Sequence, residues 1–204
     1  MYLAKTPAII QRLWPGYTWR IPTTERVLYL TFDDGPIPVV TPWVLDTLKQ
    51  YHAKATFFCV GENVQRHPDI FQRILSEGHA VGNHTHQHLN GWKTDAAVYL
   101  NNVRQCAGLV PGNLFRPPYG RLRSEQAKAL KKNYQIIMWD VLSGDFDRSI
   151  EPQKCLDNIT RNSKPGSIVV LHDSLKAERN LRYALPALLD FFAGKEWRFE
   201  VFSV

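Results

Sequence analysis

Two short clusters in this sequence carry side chains that could bind a metal ion or move protons. The first is the run HTHQH at positions 84–88, in which His84 and His88 are four residues apart. Four residues are about one helical turn, a rise of roughly 6 Å, so both rings can face one ion while His86 points away. The second cluster is the adjacent pair Asp33 and Asp34, which follows an apolar run. Two imidazoles and one carboxylate with open coordination positions are typical of a catalytic metal site.

The two adjacent aspartates are expected to differ in role. Like charges side by side are unfavourable unless something separates them, and on a turn neighbouring side chains diverge. One carboxylate can therefore bind the metal while the other faces an activated water as a general base. Gly35 and Pro36 supply the turn itself. The competing interpretations are an ordinary Asp-Gly turn and loop histidines whose hydrogen bonds are satisfied without an ion.

Two further residues could serve this centre. Arg116 opens the stiff run RPPYG at 116–120, where it could pair with Asp33 and hold it ionised and oriented. His172 follows an apolar strand pattern, and a histidine there can act as a general acid near neutral pH. Each has an ordinary alternative, namely a surface arginine beside a turn and a core histidine bonded to Asp173 or to a loop carbonyl.

The reactive residues follow short β-branched or aromatic runs that alternate with helical patterns. Strands are predicted at 27–32, 55–60, 80–81, 114–116, 134–139, 167–171 and 198–202. Helices are predicted at 39–52, 68–77, 94–109, 124–132, 151–162 and 180–193, with Thr94 and Ser124 as N-caps. The repeated β-then-α order predicts an α/β fold, a distorted (β/α) barrel of about seven units similar to a TIM barrel. Because barrel strands share one carboxyl-end face, the clusters should converge in one cleft.

Composition predicts a single domain over residues 1–204, with 1–25 as an N-terminal extension. The chain is 44% hydrophobic and 22% charged, which fits an ordinary globular protein with one buried core. The net charge of +6 slightly favours an acidic polymer as substrate. No dense basic cluster or nucleic-acid module is present, so nucleic acid is not expected as a partner.

Cysteine usage and hydropathy bear on the cellular compartment. Cys59, Cys106 and Cys155 are sparse and odd in number, which argues against a disulfide scaffold. No run approaches the roughly 20 apolar residues of a membrane span, and the N-terminus lacks a convincing signal peptide. A cytoplasmic location is therefore expected, with a cell-envelope location as the alternative if a leader has been removed. The oligomeric state is left open.

Taken together, the clusters resemble the polysaccharide deacetylases of carbohydrate esterase family four, which share the NodB homology domain. The matching segments are TFDDG at 31–35, HTHQH at 84–88, RPPYG at 116–120, the stretch 139–145 and LHD at 171–173, in the family's order. They span most of the chain, and the first three together are highly specific. The resemblance implies a distorted barrel and the metal-dependent removal of acetyl groups from N-acetylated sugars.

The resemblance also implies a role for each residue of the metal centre. Asp33 would be the general base, held in place by Arg116. The metal ligands would be Asp34, His84 and His88. Zinc is the expected ion, with cobalt or another divalent ion as the alternative.

Further roles follow from the same resemblance. The backbone N–H of Tyr119 would join the metal in stabilising the oxyanion, and His172 would be the general acid, tuned by Asp145. Trp139 and Val170 would line the pocket for the acetyl methyl group. The sequence departs from the family after Asp145, where Phe146 stands in place of a frequent tryptophan. Two other aspartates are therefore alternatives for the tuning role, namely Asp140 and Asp147.

These residues predict a hydrolase that releases acetate from N-acetylglucosamine-containing poly- or oligosaccharides, such as chitin oligomers or peptidoglycan. Another small amide on the same scaffold, an N-formyl sugar-lipid or a cyclic ureide, is the alternative among hydrolases. A metal-retaining carbohydrate-binding protein without catalysis is the alternative from another class, although both Asp33 and His172 are present. Trp92, just beyond the histidines, is the best candidate among the tryptophans for an aromatic contact at the cleft rim.

Overall fold

The computed structural model describes residues 2–202, which contain eight mostly buried β-strands among eight α-helices. The strands are β1 (Val27–Asp33), β2 (Ala55–Cys59), β3 (Ala80–Asn83), β4 (Leu114–Phe115), β5 (Gln135–Ile136), β6 (Val141–Leu142), β7 (Ile168–His172) and β8 (Arg198–Phe199). The helices are α1 (Ala8–Leu13), α2 (Val40–Gln50), α3 (Gly61–Arg66), α4 (Pro68–Ser76), α5 (Ala96–Ala107), α6 (Ser124–Leu130), α7 (Pro152–Thr160) and α8 (Glu178–Ala193). Two 3-10 turns, Gly91–Lys93 and Pro118–Gly120, lie before α5 and before α6.

Seven strands form one parallel sheet in the order β5-β4-β3-β2-β1-β7-β6. The sheet curls into a distorted (β/α) barrel, so the predicted fold class is confirmed. β1 lies near the middle, with Asp33 opposite Phe58 of β2 on one side and His172 of β7 on the other. This register brings two of the predicted reactive residues to neighbouring strand ends.

β1 illustrates how the sequence separates the two faces of the sheet. Side chains alternate along a strand. Leu30 and Phe32 belong to the same buried cluster as apolar residues of α2 and α8. Thr31 and Asp33 point to the opposite face, inside the barrel, where both contact Arg116. The strand therefore packs the core with one face and supplies the site with the other.

The segment before β1 fills the gap between β6 and β5, the two ends of the sheet. Residues 4–6 pair antiparallel with β6, and Lys5 also forms an ion pair of 2.6 Å with the buried Asp140. Thr18 pairs in parallel with Ile137, next to β5. The predicted extension is thus a part of the barrel wall.

The observed strands differ from the predicted ones at one side of the barrel. The predicted strand at 198–202 is reduced to β8, which pairs with the start of β1 outside the main strand order. Its place in the barrel is taken by β6, which the sequence does not predict. A strand of two residues cannot display an alternating pattern, so it carries no sequence signal.

The predicted helices are all present, but both predicted N-caps are wrong. Asp95, rather than Thr94, caps α5 by accepting a hydrogen bond of 2.9 Å from the N–H two residues later. Ser124 is the first residue of α6, and Arg123 is its N-cap, whose N–H donates to the side chain of Gln126. The sequence does not predict α1 and α3, which have six residues each.

The cysteines and the hydropathy of the helices complete the description of the fold. All three cysteines are buried and unpaired, as expected of small core residues. Among residues 2–202, no helix combines the length and the apolar character needed to cross a bilayer.

Candidate active site

The three predicted metal ligands lie together at the carboxyl ends of β1 and β3. Asp34 follows β1, and His84 and His88 follow β3. One carboxylate oxygen and one nitrogen from each ring lie within 4.8 Å of one another. The Oδ1 atom of Asp34 is 3.2 Å from Nε2 of His88 and 3.9 Å from Nε2 of His84. The three side chains are therefore close enough to share one ion.

The two histidines converge for a different reason from the predicted one. Residues 84–88 form no helical turn, and Thr85 and His88 have left-handed backbones with φ of 63° and 53°. The side chain of Asn83 accepts from the N–H of Thr85 at 2.9 Å. The side chain of Asn102 accepts from the next two N–H groups at 2.8 and 2.9 Å. The expected helical turn is wrong, and a loop held by two asparagines sets the spacing of the rings.

His84 has the chemistry of a metal ligand. Its Nδ1 lies 2.8 Å from the carbonyl of Arg116 and must donate to it, because a carbonyl oxygen only accepts. The other nitrogen, Nε2, is then left with a free lone pair on the side of Asp34. Burial lowers the pKa of His84 to about 4, so the ring is neutral at pH 7. Two nitrogens and one oxygen fit zinc or a similar transition ion, whereas calcium and magnesium prefer oxygen ligands.

Asp34 remains ionised in its half-buried position. Burial favours the neutral carboxyl, but the hydrogen bond to His88 and the nearby rings of His172 and His84 outweigh burial. Together they hold the pKa of Asp34 well below its usual range. The side chain of Asn63 donates to the carbonyl of Asp34 at 2.7 Å and fixes its left-handed backbone, with φ of 87°. A charged carboxylate is thus held ready beside two imidazoles.

Asp33 and Arg116 form a buried ion pair next to the metal ligands. Nη1 of the fully buried Arg116 donates to Oδ1 of Asp33 and to the hydroxyl of Thr31, both at 2.7 Å. Its other donors reach the carbonyls of Ile137 at 3.1 Å and Met138 at 2.9 Å. The alternative of a surface arginine is therefore wrong. One oxygen of Asp33 is fixed, and Oδ2 accepts no hydrogen bond from the part of the chain that the structure describes.

His172 is paired with Asp145. Its Nδ1 lies 2.7 Å from Oδ1 of Asp145, and its backbone N–H donates to Oδ2 at 2.7 Å. Asp140 and Asp147, the other aspartates considered for this position, make their hydrogen bonds elsewhere. Burial disfavours the charged ring, but Asp145, together with the nearby carboxylates of Asp34 and Asp33, outweighs burial and raises the pKa of His172 to about 10. The ring therefore carries a proton at neutral pH, as a general acid must.

The loop that carries Asp145 is fixed from three sides. The ring edge of Phe146 packs against His172, with centroids 5.2 Å apart. Tyr2, from the segment before β1, contacts Phe146 with centroids 5.1 Å apart. Asn180 of α8 donates to the two carbonyls that flank Phe146, at 3.0 and 2.9 Å. These contacts hold Asp145 where it meets His172.

Left-handed residues other than glycine concentrate at this site. Of seven such residues in the described chain, four are Asp34, Thr85, His88 and Tyr119. Each such conformation costs on the order of 1–3 kcal/mol, and such strain is typical of functional sites. At Tyr119, with φ of 62°, the N–H has no acceptor within residues 2–202, while the ring lies 4.7 Å from that of His88. This N–H is free to donate to a ligand beside the metal centre.

The two residues expected to line an acetyl pocket adjoin different sides of the site. Val170 is buried on β7, beside Thr31 of β1 and two residues before His172. The ring of Trp139 abuts Gly120, where an added Cβ would lie only 2.5 Å from it. Their joint role as a methyl pocket stays a prediction.

Several residues that hold the reactive side chains were not predicted as part of the site. The carboxylate of Asp173 accepts from the N–H of Gly35 at 3.0 Å and from the hydroxyl of Thr41 at 2.6 Å. It thereby ties the loop after β1 to the end of β7. Its place in the LHD segment is a signal that could have identified it. No comparable signal marks the asparagines that hold the loops, namely Asn63, Asn83, Asn102 and Asn180.

Comparison with known proteins identifies the family of the chain. The family model described as polysaccharide deacetylase matches residues 20–136, more than half of the chain. Two peptidoglycan-N-acetylglucosamine deacetylases of Bacillus cereus are 38% and 35% identical over 167 and 196 residues. The first alignment covers 78% of this chain but 60% of the relative, and the second covers 92% of both.

A solved structure shows the same similarity over nearly the whole chain. It is a peptidoglycan N-acetylglucosamine deacetylase in complex with 4-naphthalen-1-yl-N-oxidanyl-benzamide, with a TM-score of 0.87 and 32% identity. The match covers 96% of this chain and 94% of that one. The chain therefore belongs to the polysaccharide deacetylase family, the NodB-type members of carbohydrate esterase family four. The predicted enzyme class, a hydrolase of N-acetyl amide bonds on carbohydrates, is confirmed.

Proposed function

We propose that the chain is a divalent-metal-dependent deacetylase that acts on N-acetylglucosamine residues of peptidoglycan strands and related oligosaccharides. One observation carries the proposal: a carboxylate held by arginine and a histidine held by aspartate lie on neighbouring strand ends, beside three clustered metal ligands. The names of the Bacillus cereus relatives support peptidoglycan as the substrate.

In the proposed reaction, Asp33 takes a proton from the attacking water as its oxygen adds to the acetamide carbonyl. Arg116 supports this role because it binds one carboxylate oxygen and leaves the other for the water. The N–H of Tyr119 donates to the oxyanion, and one such donor typically contributes roughly 3–4 kcal/mol. His172 then donates its proton to the sugar nitrogen as the C–N bond breaks, which releases acetate and the free amine.

The metal would be held by Asp34, His84 and His88. When bound, a divalent ion supplies a Lewis acid that polarises the carbonyl and acidifies water. The bare Nε2 of His84 and the ionised carboxylate of Asp34 support this assignment, and the mixed nitrogen and oxygen donors support zinc or cobalt.

Acetate release from peptidoglycan and from a panel of chitooligosaccharides, with added Zn²⁺ or Co²⁺, tests the proposal. Loss of a general acid costs about 10²–10⁴-fold, so His172→Ala should lower kcat by that factor while its metal content stays unchanged. His84→Ala should instead lose both the metal and the activity. His86→Asn is the matched control, because His86 lies in the same loop but outside the metal group.

Each alternative predicts a different result in this assay. Activity that survives chelation would contradict metal dependence. Formate in place of acetate would favour an N-formyl sugar, and hydrolysis of cyclic ureides alone would favour a ureide substrate. Metal binding without hydrolysis of any of these amides would support the non-catalytic alternative.

A further inference from the structure

An exposed tryptophan, Trp92, lies four residues after the metal-ligand candidate His88. Trp92 is 59% exposed and belongs to the 3-10 turn Gly91–Lys93, which follows the histidine loop. The side chain of Asn90 accepts from the N–H of Trp92 at 3.1 Å and fixes the turn. A single exposed apolar side chain is common on protein surfaces, so the neighbours of Trp92 decide whether it could bind a ligand.

A buried glutamine joins this turn to the loop that carries Tyr119. Gln126 is fully buried, and its Nε2 donates to the carbonyls of Gly91 at 3.0 Å and Thr94 at 3.2 Å. Its Oε1 accepts from the N–H of Arg123 at 2.9 Å. The contact is so close that a Cβ on Gly91 would lie 2.4 Å from the carbonyl oxygen of Arg121. The turn and the loop therefore form one rigid unit.

An arginine of that loop lies beside the tryptophan ring and has no acidic partner within residues 2–202. The guanidinium carbon of Arg121 lies 5.1 Å from the centre of the Trp92 ring. Arg121 is exposed and forms no salt bridge with any carboxylate within residues 2–202. The neighbouring Arg123 differs, because it donates to the carbonyl of Trp92 at 2.8 Å and lies 4.0 Å from Glu125. Arg121 thus offers a free, planar pair of donors beside an aromatic face.

The pair adjoins the reactive centre along the chain. Arg121 is two residues from Tyr119, a separation of at most about 7 Å. The exposed ring of Tyr119 in turn lies against that of the metal-ligand candidate His88, with centroids 4.7 Å apart. Tyr119 thus links the candidate metal centre to the pair formed by Trp92 and Arg121.

We propose that Trp92 and Arg121 form a substrate subsite for a sugar that carries a carboxylate, so that acidic N-acetylated glycans are preferred to neutral ones. The indole offers a flat apolar face to the pyranose ring, and the guanidinium matches a carboxylate with two parallel hydrogen bonds. The subsite deepens the proposed function and rests on it. The net charge of +6 over the whole chain favours the same class of polymer.

The test compares three substrates: neutral chitooligosaccharides, peptide-free peptidoglycan strands with free lactyl carboxylates, and the same strands after conversion of those carboxylates to methylamides. The wild-type enzyme should prefer the free acid to the methylamide by about tenfold or more in kcat/KM, the scale of one charged hydrogen bond. Arg121→Gln should remove that preference by raising KM for the free acid to the value for the methylamide. Trp92→Ala should raise KM for all three substrates, and Trp92→Phe should restore part of the loss.

Arg104→Gln is the matched control for net charge, since Arg104 lies in the last turn of α5 and its Nε bonds to a backbone carbonyl. It should retain the full preference for the acid. The subsite would be overturned by equal rates for acid and methylamide in the wild type, or by an Arg121→Gln variant that keeps the preference. In either case, acetate release would still support the proposed function. A wild-type enzyme that released acetate from none of the three would overturn both.

Discussion

Asp145 holds His172 at two points, the ring and the backbone N–H, and this double contact predicts a pH effect. Because Asp145 raises the pKa of His172 to about 10 against the effect of burial, its removal should lower that pKa. In the proposed reaction His172 acts as a general acid in its protonated form, so Asp145→Asn should move the alkaline limb of kcat/KM to lower pH. A neighbouring opposite charge typically shifts a pKa by about 1–3 units, and the limb should move by a similar amount.

The pH dependence of acetate release measures this shift. Asp147→Asn removes an aspartate of the same loop that does not bond to His172, so its alkaline limb should coincide with that of the wild type. An Asp145→Asn enzyme with an unmoved limb would show that Asp145 does not set the protonation of His172.

At the residue scale, the reactive side chains could be predicted because each has an unusual type at an unusual place. Paired aspartates after an apolar strand and closely spaced histidines are rare outside functional sites. The complete burial of Arg116 could not be predicted in this way. Its guanidinium donates to the carbonyls of residues 137 and 138, and no local sequence pattern connects those residues with Arg116. Asn63 could not be predicted either. It bonds to Asp34 from 29 positions away, and in the sequence it is an ordinary polar residue of a short helix.

At the element scale, β2 and β3 begin next to a buried histidine, which predicts how stability depends on pH. Nδ1 of His79 accepts from the N–H of Ala55 at 3.2 Å, and burial lowers the pKa of His79 to about 4. In the unfolded chain the ring titrates near its ordinary value of about 6.5. Between these values the unfolded state binds more protons, so the free energy of unfolding should fall as pH drops from about 6.5 to about 4.

His79→Asn should remove this part of the pH dependence, because asparagine keeps an acceptor near Nδ1 but does not titrate. Urea unfolding at pH 7 and pH 4.5 should show a smaller loss in the variant than in the wild type, by about 1–2 kcal/mol. This free energy is smaller than the full pKa shift of His79 would give, because the ring keeps some contact with water. Equal losses in both proteins would mean that His79 does not contribute.

The elements that could be predicted are those long enough to show a period. α2 and α8 carry apolar stripes over 11 and 16 residues, and their predicted bounds lie within two residues of the observed ones. β6 has two residues, and α3 has six and begins with a glycine only two residues after the end of β2, so neither leaves a pattern to detect. The prediction for the histidine loop was wrong for a different reason. A spacing of four residues fits a helix, but hydrogen bonds to side chains hold the loop in a conformation with two left-handed residues instead.

At the scale of the whole molecule, metal binding should stabilise the fold. An ion that binds only the folded state at 100 times its Kd adds about 2.7 kcal/mol. For a protein of this size, each kcal/mol raises the Tm by about 2–4 °C, so the expected increase is about 5–10 °C. Thermal unfolding with Zn²⁺ and with a chelator measures it.

Variants of the histidine loop make that measurement specific. His84→Ala should lose the increase because it removes a ligand, and His86→Asn should keep it because His86 lies outside the group. An equal increase in both variants would assign the ion to another place on the molecule.

The segment that closes the barrel has a consequence for synthesis of the protein on the ribosome. Lys5 finds its partner Asp140 135 positions later in the chain. At about 5–20 residues per second, this means an interval of about 7–27 s in which the emerging N-terminal segment has no partner. Until the segment pairs with it, β6 has an unpaired edge, and such edges recruit strands from other chains. Residues 4–6 therefore remain without their partner strand until β6 has been synthesised.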